Sequence, residues 1–483
     1  MSAPVDGDSS AALAELRFGT DGIRGPVGGF ITQEVIARIV AGIIQYCGTP
    51  GYLARTGLPA IPLTLVVGGD CRATSDYFTT MASQIGHALG VRVLRCQGYV
   101  TTPMLAHAVI DQRAHGGIMV TASHNPADHN GIKFLPWYGG PAMPEDTAAI
   151  EGFINSDPPD PDVHPDGEVA PHNPAPAYAD RLNLLVDFPR IKAAGLRIAF
   201  DALYGAGKGY FRQLMLAHDI PAQVFHGEDD PWMGGAMPDP SAGRLQELSA
   251  LVSRRGFDLG LATDGDADRF AAVDGRGRYL SPNQCVSVLA HYLITHQGGQ
   301  GNLARTIATT HRLDQIAAHH GRTVAVTPVG FKFLADLLRR DGSLLMAGEE
   351  SGGFALRGHV PEKDGLLACF LLLEACATTG LPLHGLVEEV ERTYGPLCGT
   401  RLDRPMTDAA AALHAWALEQ PSLTLAGETF TRSAVDRAEF ATPDGSWVLV
   451  RPSGTEQLLR IYLETTSEVR LVQLAAAMEA LGR

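Results

Sequence analysis

The stretch FDLGLATDGDADR, residues 257–269, decides the fold, because it joins an apolar strand pattern to a turn of alternating aspartates. Two other runs have the same form, an aliphatic segment that ends in a Gly/Asp-rich turn: IPLTLVVGGD (61–70) and RIAFDALYGAG (197–207). Strand, turn and helix repeated at this spacing predict α/β units with mainly parallel sheets. Ligands bind at the carboxyl ends of strands in such sheets, so the polar turns are where function is expected.

The chain has 483 residues, too many for one hydrophobic core, which predicts about three or four domains. The segment 155–177 is dense in proline and acidic residues and predicts a linker that closes the first domain. The tail resembles a small α+β unit more than another copy of the preceding α/β units. The predicted domains are three α/β domains at 11–155, 178–285 and 286–394 and an α+β domain at 398–483.

Composition and charge exclude several classes of protein. With 45% hydrophobic residues and a net charge of −15, we expect a soluble protein with no nucleic-acid and no membrane partner, since both partners need broad basic surfaces. An anionic substrate would need a local basic pocket. Seven cysteines without a C-x-x-C pair predict reduced, mostly buried thiols in a cytoplasmic protein. No secretory signal is visible, and the apolar run from 365, interrupted by Glu374, predicts a buried helix.

The turn after the strand at 257–263 carries three carboxylates at a spacing of two: Asp264, Asp266 and Asp268. On an irregular loop this spacing can bring all three onto one hard cation, which would offset their mutual repulsion. A calcium-binding EF-hand is excluded, because loop positions six and twelve hold Arg269 and Gly275 instead of Gly and Glu. A solvated acidic turn is the alternative, but the preceding strand and the trailing arginine favour a Mg²⁺ site.

A second polar turn, VTASHNPADHNGIKF at 120–134, places Ser123 beside His124 between two apolar runs. The strained turn of a serine hydrolase has the pattern G-x-S-x-G, whereas Ser123 has Ala122 and His124 as neighbours. A turn-capping hydroxyl is the alternative role for this serine, so its function depends on the other loops.

Two further loops carry groups suited to sugars and phosphates. In GEESGGFALRGHVPEKDG (348–365), Glu349 and Ser351 could bind hydroxyls and Lys363 could face an anion, although a surface loop is the alternative. In VRPSGTEQLLRIYLE (450–464), hydroxyls and backbone N–H groups beside a guanidinium make a phosphate cradle, although a hairpin turn is the alternative. The residues of the predicted cradle are Arg451, Ser453, Gly454 and Thr455.

Three other features are weak evidence of a functional site when each is taken alone. Arg24 in FGTDGIRG (18–25) and Lys332 in TPVGFKF (327–333) each lie near a turn, where a lone cation is usually solvated. The histidines, including the pair at 319–320, have no H-E-x-x-H or paired spacing, so the sequence predicts no zinc site.

Taken together, a serine on a polar turn, a three-carboxylate loop, a hydroxyl-binding loop and a phosphate cradle predict phosphoryl transfer through serine. At this point the chain resembles the α-D-phosphohexomutases, the phosphoglucomutase/phosphomannomutase group. The start FGTDGIRG and four motifs in that family's order carry the resemblance over about residues 17–465. The four motifs are TASHNP, DGDADR, GEESGG and RPSGTE.

The resemblance implies four domains in a heart-like arrangement around a central cleft, with one loop from each domain. It implies that Ser123 is carried as phosphoserine and that its oxygen, with Asp264, Asp266 and Asp268, holds Mg²⁺. Arg269 would lie near the transferring phosphate. The remaining implied roles are proton and charge handling for His124 and Lys133, sugar binding for Glu349 and Ser351, and phosphate binding for Arg451, Ser453, Gly454 and Thr455. Arg24 and Lys363, as cations on their loops, are predicted to bind substrate as well.

The identity of the sugar is predicted from two features in which members of the family differ. Some members end the sugar loop in histidine, where this chain has Gly353. TPVGFKF and the ending H-x-x-E-K-D-G (359–365) instead resemble the glucose-handling branch, in which Lys332 is a candidate general base. The resemblance therefore implies interconversion of glucose 1-phosphate and glucose 6-phosphate through a glucose 1,6-bisphosphate intermediate. The oligomeric state is not readable from the sequence, so a monomer and a homodimer both stay open.

Other functions stay open. A phosphomannomutase or dual-specificity enzyme is the second interpretation. FGTDGIRG also resembles the start of phosphoglucosamine mutases, although their sugar loop usually has Gln where this chain has Glu350. A synthase that releases hexose 1,6-bisphosphate would use the same motifs. A non-catalytic sugar-phosphate binding protein would be expected to have lost Ser123 or a metal aspartate, and the chain retains all of them.

Overall fold

A computed structural model of the chain describes residues 16–19, 21–156, 167–454 and 456–481. Its strands form four sheets that follow one another along the chain. The first three sheets are mixed and the fourth is antiparallel. This confirms the predicted class, three α/β domains followed by a smaller α+β domain.

The first sheet has six strands in the order β1-β5-β4-β2-β3-β6. These strands are β1 (Ile23–Pro26), β2 (Thr64–Gly69), β3 (Arg92–Cys96), β4 (Gly116–Val120), β5 (His129–Pro136) and β6 (Glu168–His172). The helices of this domain are α1 (Gln33–Cys47), α2 (Pro50–Thr56), α3 (Ser75–Ala88), α4 (Thr102–Asp111) and α5 (Pro144–Ile154). Strand β2 pairs in parallel with β3 and β4 and is buried along its whole length, as expected for a strand covered on both faces.

The predicted linker at 155–177 is wrong for residues 168–172. These residues form β6, which pairs in parallel with β3 at the edge of the first sheet, so the first domain extends beyond the predicted end at residue 155. The density of proline and acidic residues led to the linker prediction, but an edge strand tolerates a proline such as Pro171 because one side of its backbone has no strand partner.

The second sheet has five strands in the order β11-β10-β9-β7-β8. Its elements are α6 (Ala175–Asn183), α7 (Phe188–Ala194), β7 (Ile198–Asp201), α8 (Gly207–Ala217), β8 (Ala222–Phe225), α9 (Gln246–Arg255), β9 (Leu259–Thr263), β10 (Phe270–Asp274) and β11 (Tyr279–Leu280). Strand β7 pairs in parallel with β8 and β9, and β10 returns antiparallel to β9. The aspartate-rich turn therefore joins two buried neighbouring strands.

The third sheet has four strands in the order β13-β12-β14-β15. Its elements are α10 (Pro282–Thr295), β12 (Asn302–Thr306), α11 (Arg312–His319), β13 (Val324–Thr327), α12 (Phe331–Arg340), β14 (Leu344–Gly348), β15 (Phe354–Leu356), α13 (Gly365–Thr379) and α14 (Leu383–Tyr394). The predicted boundary between 285 and 286 falls inside α10. Ser281 and Gln284 form a capping box at the start of this helix, and that S-x-x-Q signal places the helix start before the predicted boundary.

The fourth sheet is antiparallel in the order β16-β21-β20-β19-β18-β17. Its elements are β16 (Cys398–Pro405), α15 (Asp408–Glu419), β17 (Ser422–Leu425), β18 (Glu428–Arg432), β19 (Ala438–Ala441), β20 (Trp447–Pro452), β21 (Leu458–Thr465) and α16 (Glu468–Ala480). Alternate residues of β16 are more and less exposed, the pattern of a sheet with one face packed on the core.

The first three domains share their largest hydrophobic core, whereas the fourth domain has a core of its own. Helix α13 lies in the shared core, where Phe370 stacks on Phe211 of α8 with ring centroids 5.3 Å apart. This confirms the predicted buried helix after residue 365. Within the described residues no single helix is long and apolar enough to cross a membrane, and one bent pair, α13 with α14, meets that test by length and composition only. All seven cysteines are free thiols, and five are buried.

Candidate active site

Ser123 lies at the carboxyl end of β4, in the loop that leads to β5, and is only 1% exposed. Its φ of 51° lies in the left-handed region, which costs a non-glycine residue roughly 1–3 kcal/mol and persists only where the surroundings enforce it. The Ser123 N–H donates to Thr121 Oγ1 at 2.8 Å. The loop therefore holds the serine hydroxyl in one defined direction.

Arg72 is the residue that holds this loop, and the sequence did not predict it. Its guanidinium donates to four backbone carbonyls of the serine loop, those of Ser123 (2.7 Å), Asn125 (2.6 Å), Pro126 (2.5 Å) and His129 (3.1 Å). Arg72 also pairs at 3.3 Å with the buried Asp70, which accepts a hydrogen bond from Thr121 Oγ1 at 2.6 Å. Arg72 stands in the D-C-R sequence directly after β2, but its contacts with the serine loop span 51–57 residues of sequence.

The aspartate turn between β9 and β10 meets the serine directly. Ser123 Oγ donates to Asp264 Oδ2 at 2.8 Å across 141 residues of sequence. The two loops approach so closely that a Cβ at Gly265 would lie 2.3 Å from the Ser123 carbonyl oxygen. Glycine is therefore required at position 265 for the serine to reach the aspartates.

Asp264, Asp266 and Asp268 are buried, and one carboxylate oxygen of each lies within 4.8 Å of the others. Two of their oxygens, Asp266 Oδ1 and Asp268 Oδ1, have no hydrogen-bond partner among the residues that the structure describes. Unpaired buried carboxylate oxygens are unfavourable unless a cation takes them up. An all-oxygen donor set of this kind fits Mg²⁺, so the residues present fit the predicted metal.

Two buried lysines balance the charge of these carboxylates. Lys133 Nζ contacts Asp266 at 2.8 Å, Asp268 at 2.7 Å and Asp21 at 3.0 Å. Lys363 Nζ lies 3.3 Å from Asp268, 3.4 Å from Asp21 and 3.1 Å from Glu362 Oε1. We call Ser123, Lys133, Asp264, Asp266, Asp268 and Lys363 the serine–metal cluster.

The aspartates of this cluster differ in proton affinity. Burial, followed by the charges of Asp266 and Asp268, raises the pKa of Asp264 well above its usual value. Burial also acts to raise the pKa of Asp266, but Lys133 and Arg24 outweigh it and the pKa lies below the usual value. Asp266 is therefore a fixed negative charge, whereas Asp264 takes up positive charge readily, from a cation or a proton.

His124 and Arg269 lie beside the cluster. His124 Nδ1 is 3.3 Å from Ser123 Oγ, and the Arg269 charge, together with burial, lowers the pKa of this imidazole well below its usual value. Arg269 Nε lies 4.0 Å from Asp268, and the Arg269 backbone bridges to Gly353 of the sugar loop. Arg269 thus joins the aspartate turn of the second domain to the third domain.

Glu349 and Ser351 lie on the loop between β14 and β15. The Ser351 hydroxyl donates to Glu349 Oε1, and burial, with the neighbouring Glu350, raises the pKa of Glu349 to about 7. A Cβ at Gly353 would come within 2.8 Å of Glu349 Oε1 and 2.7 Å of Lys363 Cδ. The sugar loop therefore packs against Lys363 of the serine–metal cluster.

The structure places the two remaining predicted cations of the first and third domains near Asp21. Arg24 Nη2 donates to the Asp21 carbonyl at 2.6 Å and pairs with its carboxylate at 3.3 Å. Burial lowers the pKa of Lys332, with Asp21 acting in the opposite direction. Within the described chain, Lys332 has neither an ion pair nor a side-chain hydrogen bond.

The fourth predicted loop stands apart from the other three. Arg451 and Ser453 are half-buried and Gly454 is exposed, while Thr455 lies outside the described residues. In the part of the chain that the structure describes, no ion pair or hydrogen bond joins Arg451 to the serine, metal or sugar loops, and its Nη1 atom is buried without a hydrogen-bond partner.

Four polar residues of the site were missed by sequence reasoning. Arg72 anchors the serine loop, Thr102 Oγ1 donates to Asp266 at 2.6 Å, and Asp21 and Glu362 pair with the two lysines. Asp21 lies within FGTDGIRG and Glu362 within H-x-x-E-K-D-G, so both could have been found by examining the acidic residue beside each predicted cation.

Known proteins share this architecture and chain length. The chain matches four phosphoglucomutase/phosphomannomutase domains: alpha/beta/alpha domain I at 15–159, domain II at 176–277, domain III at 281–394 and the C-terminal domain at 404–481. It is 32% identical to a phosphoglucosamine mutase of Frankia alni, over 96% of this chain and 98% of that protein. It is 29% identical to a phosphoglucomutase of Komagataeibacter xylinus, over 95% of this chain and 89% of that protein.

A solved structure agrees with these sequence matches. The crystal structure of a candidate phosphomannomutase from Thermus thermophilus superimposes with a TM-score of 0.82 at 29% identity, covering 97% of this chain and 99% of that one. With four domains matched in order and relatives matched over nearly their whole length, the chain belongs to the phosphoglucomutase/phosphomannomutase family.

Proposed function

We propose that this chain interconverts glucose 1-phosphate and glucose 6-phosphate by carrying a phosphoryl group on Ser123. The contact between Ser123 Oγ and Asp264 Oδ2, 2.8 Å long and buried beside two further carboxylates, carries the proposal. A turn-capping serine would direct its hydroxyl to its own backbone. This hydroxyl instead points into a carboxylate cluster supplied by another domain, where a cation would bring a phosphoryl oxygen.

Asp264, Asp266, Asp268 and the Ser123 oxygen would hold Mg²⁺. A bound Mg²⁺ would neutralise charge on the phosphoryl group and so favour its transfer. The chain contributes the fixed part of the site: the hydrogen bonds of Arg72 hold the serine loop, and Gly265 permits the loops to touch. Such prior positioning lowers the barrier because the groups need not be ordered during the reaction.

The cations of the site would stabilise charge that moves during transfer. Lys133 and Lys363 are buried, and each lies between carboxylates of different loops. A phosphoryl group on Ser123 would enter their neighbourhood and that of Arg269. In a site that excludes water these charges act strongly, and exclusion of water also protects a phosphoserine from hydrolysis.

Two transfers complete the reaction. In the first, the bond between phosphorus and Ser123 Oγ breaks and phosphorus bonds to the free hydroxyl oxygen of the hexose monophosphate. The sugar hydroxyl proton passes to a base, and Ser123 Oγ takes up a proton. The bisphosphate then turns over in the cleft, and its other phosphoryl group bonds to Ser123 Oγ, which releases its proton while the freed sugar oxygen gains one. We assign the base to Lys332, because its lowered pKa and lack of a described ion pair suit proton uptake.

Recognition of the substrate would be divided between two loops. Glu349 and Ser351 would bind sugar hydroxyls, and Arg451, Ser453 and Gly454 with Thr455 would bind the phosphate that is not being transferred. Because the bisphosphate turns over, both loops must accept it in either orientation.

Glucosamine phosphate is the second candidate substrate, because the Frankia alni relative is named a phosphoglucosamine mutase. Mannose phosphate is the third. We favour glucose because the glucose-like ending at 359–365 supplies Lys363, which lies in the serine–metal cluster.

The test is kcat/KM for glucose 1-phosphate, glucosamine 1-phosphate and mannose 1-phosphate, each with Mg²⁺ and a trace of the matching 1,6-bisphosphate. We expect the highest value for glucose 1-phosphate. A higher value for glucosamine 1-phosphate would transfer the assignment to the amino sugar, and equal values for glucose and mannose would make the enzyme dual-specific. Absence of turnover with all three would contradict the mutase proposal.

A further inference from the structure

A second group of metal-binding side chains lies on the helices of the third domain, outside the serine–metal cluster. His291 and His296 stand at the carboxyl-terminal end of α10, and Glu389 faces them from α14. One ligand atom from each of the three residues lies within 4.8 Å of the other two. The two histidines are five positions apart and the glutamate lies on another helix, so no sequence motif identifies the group.

The buried core of this group contains two unpaired polar atoms. The His291 side chain is 6% exposed, and its Nε2 atom lies 3.9 Å from Glu389 Oε2, which is too far for a hydrogen bond. Neither atom has a hydrogen-bond partner in the described chain. Buried polar atoms without partners are uncommon and indicate a missing ligand or ion.

The other nitrogen of His291 is already engaged. Its Nδ1 lies 2.8 Å from the Tyr394 hydroxyl, and that hydroxyl lies 3.0 Å from His320 Nε2. If Nδ1–H donates to Tyr394 and the Tyr394 O–H donates to His320, both contacts are satisfied and Nε2 keeps a free lone pair. Histidines that bind metals commonly donate their second N–H in this way, which fixes the ring orientation.

The remaining two ligands can adjust. Glu389 Oε1 lies 3.7 Å from the exposed Arg392, so the other oxygen is free to face His291. His296 is exposed at the end of α10. Metal–ligand bonds of about 2.0–2.2 Å place two ligand atoms of one ion about 3–4 Å apart, so a small movement of the His296 ring closes the group.

We propose that His291 Nε2, His296 and Glu389 Oε2 form a site for a divalent transition metal of the Zn²⁺, Co²⁺ or Ni²⁺ class. Two imidazoles and one carboxylate suit these ions better than Mg²⁺, which prefers oxygen ligands. The site differs from the aspartate cluster in donor chemistry, and its residues lie on other elements, at the end of α10 and on α14. It stands independently of the proposed mutase reaction.

The position of the site indicates a structural role. The ion would join α10 to α14, and Tyr394, which contacts His291, is the last residue of α14 before the chain enters the fourth domain. Arg312 of α11 donates to the carbonyl of the next residue, Gly395, at 2.6 Å. A bound ion would therefore stiffen the pair α10 and α14, of which α14 leads into the fourth domain.

The test is a Co²⁺ titration of the full chain in excess Mg²⁺, which occupies the oxygen-ligand site, with visible absorption as the readout. We expect bands of nitrogen-ligated Co²⁺ that saturate at one equivalent and are displaced by Zn²⁺. In His296→Ala and Glu389→Gln the affinity should fall by about tenfold or more. His296 is exposed, so its replacement should leave the fold intact, which a thermal melt without metal verifies.

His87→Ala is the matched control, because His87 is also an exposed histidine in the last turn of a helix, α3. The control should bind Co²⁺ as the parent chain does. As a second readout, Zn²⁺ should raise the Tm of the parent and of the control but not of His296→Ala. Absence of the bands in the parent chain, or their retention in either ligand variant, would overturn the proposal.

Discussion

The loops of the first three domains and the loop of the fourth domain differ in how closely they are joined to one another. The first three domains bring their loops into direct contact, with Ser123, Lys133 and Lys363 linked to carboxylates over 2.7–3.4 Å. The fourth-domain loop at 451–454 has half-buried and exposed residues, and no described ion pair joins Arg451 to those loops. The groups proposed for chemistry are linked to one another across domains, whereas Arg451, proposed to bind the distal phosphate, has no such link to them among the described residues.

The cores of the domains explain this difference. The first three domains share a hydrophobic core, so their loops are held by the same packing, whereas the fourth has its own. It meets the third domain through a small separate cluster, in which Ala308 packs with Trp447. Beside that cluster, His311 stacks on Trp447 at 4.4 Å and its backbone N–H donates to Glu464 at 3.0 Å. A domain attached in this way can move against the others, which suits a loop that must release and regrip a substrate.

Loss of a carboxylate that is proposed to bind Mg²⁺ should have the largest effect on kcat. In Asp266→Asn we expect kcat to fall by about 10³-fold or more, because metal stabilisation of transferred charge contributes several kcal/mol. The measurement is kcat as a function of Mg²⁺ concentration. Asp76→Asn is the control, since Asp76 is 89% exposed and pairs with Arg95. Unchanged kcat and Mg²⁺ dependence in Asp266→Asn would contradict the metal assignment.

The anchoring of the serine loop can be loosened without touching a reacting group. In Arg72→Lys a planar fork that serves four carbonyls becomes a single ammonium. We expect kcat to fall by about 10²-fold through misplacement of Ser123, and the free energy of unfolding by about 2 kcal/mol. KM should change little.

The control for Arg72→Lys is Arg95→Lys, which alters a partly exposed arginine of the same sheet. Denaturant unfolding and steady-state kinetics measure both variants. If Arg72→Lys lost stability but kept its full kcat, Arg72 would support the fold without positioning the serine.

The variant Glu349→Gln tests whether the ionised, buried carboxylate of Glu349 lowers the stability of the folded protein. Its pKa is raised to about 7 in the folded protein, so the protonated form is favoured by folding. The stability this gives is fully present below the unfolded pKa of about 4.5 and is lost as pH rises through 7. Glu349→Gln should therefore be more stable than the parent by about 2–3 kcal/mol at pH 8, and equally stable at pH 4.

Chemical denaturation at the two pH values measures this difference. Glu388→Gln, at a 58% exposed glutamate, should show no change at either pH. Equal stability of Glu349→Gln and the parent at pH 8 would show that the Glu349 carboxylate is compensated by its surroundings.

The fourth-domain loop should give the smallest effect. In Arg451→Ala we expect KM to rise about tenfold with kcat changed less, because a phosphate grip that acts in both half-reactions contributes uniform binding. Arg401→Ala, an exposed arginine of the same sheet that pairs with Asp403, should leave KM unchanged. A fall in kcat without a rise in KM would place Arg451 in the chemistry.

The sequence predicted the parts of the site better than their arrangement. Asp264, Asp266 and Asp268 were found because their spacing on one turn is visible in one dimension. The contact of Ser123 with Asp264 spans 141 residues, and only the resemblance to a family implied it. The anchoring role of Arg72 was missed, because nothing in D-C-R shows that its side chain reaches backbone carbonyls beyond position 120.

The same limit explains the errors in the fold. Residues 168–172 were predicted as linker because the segment around them is dense in proline and acidic residues, whereas they pair with β3 as an edge strand. The start of α10 was misplaced although Ser281 and Gln284 form a capping box that the sequence displays. The group of His291, His296 and Glu389 was invisible because helix packing, and not spacing, assembles it.

The central claim is that Ser123 carries the transferred phosphoryl group, and one labelling measurement tests it most directly. The chain is incubated with Mg²⁺ and glucose 1,6-bisphosphate, freed of ligand, and mapped for phosphate by mass spectrometry before and after addition of glucose 1-phosphate. We predict one phosphoryl group on Ser123 that is lost to the added sugar, and no labelling of Ser123→Ala, whose kcat should fall by about 10⁴-fold or more. Phosphate on another residue, or phosphate on Ser123 that glucose 1-phosphate, glucosamine 1-phosphate and mannose 1-phosphate all fail to remove, would contradict it.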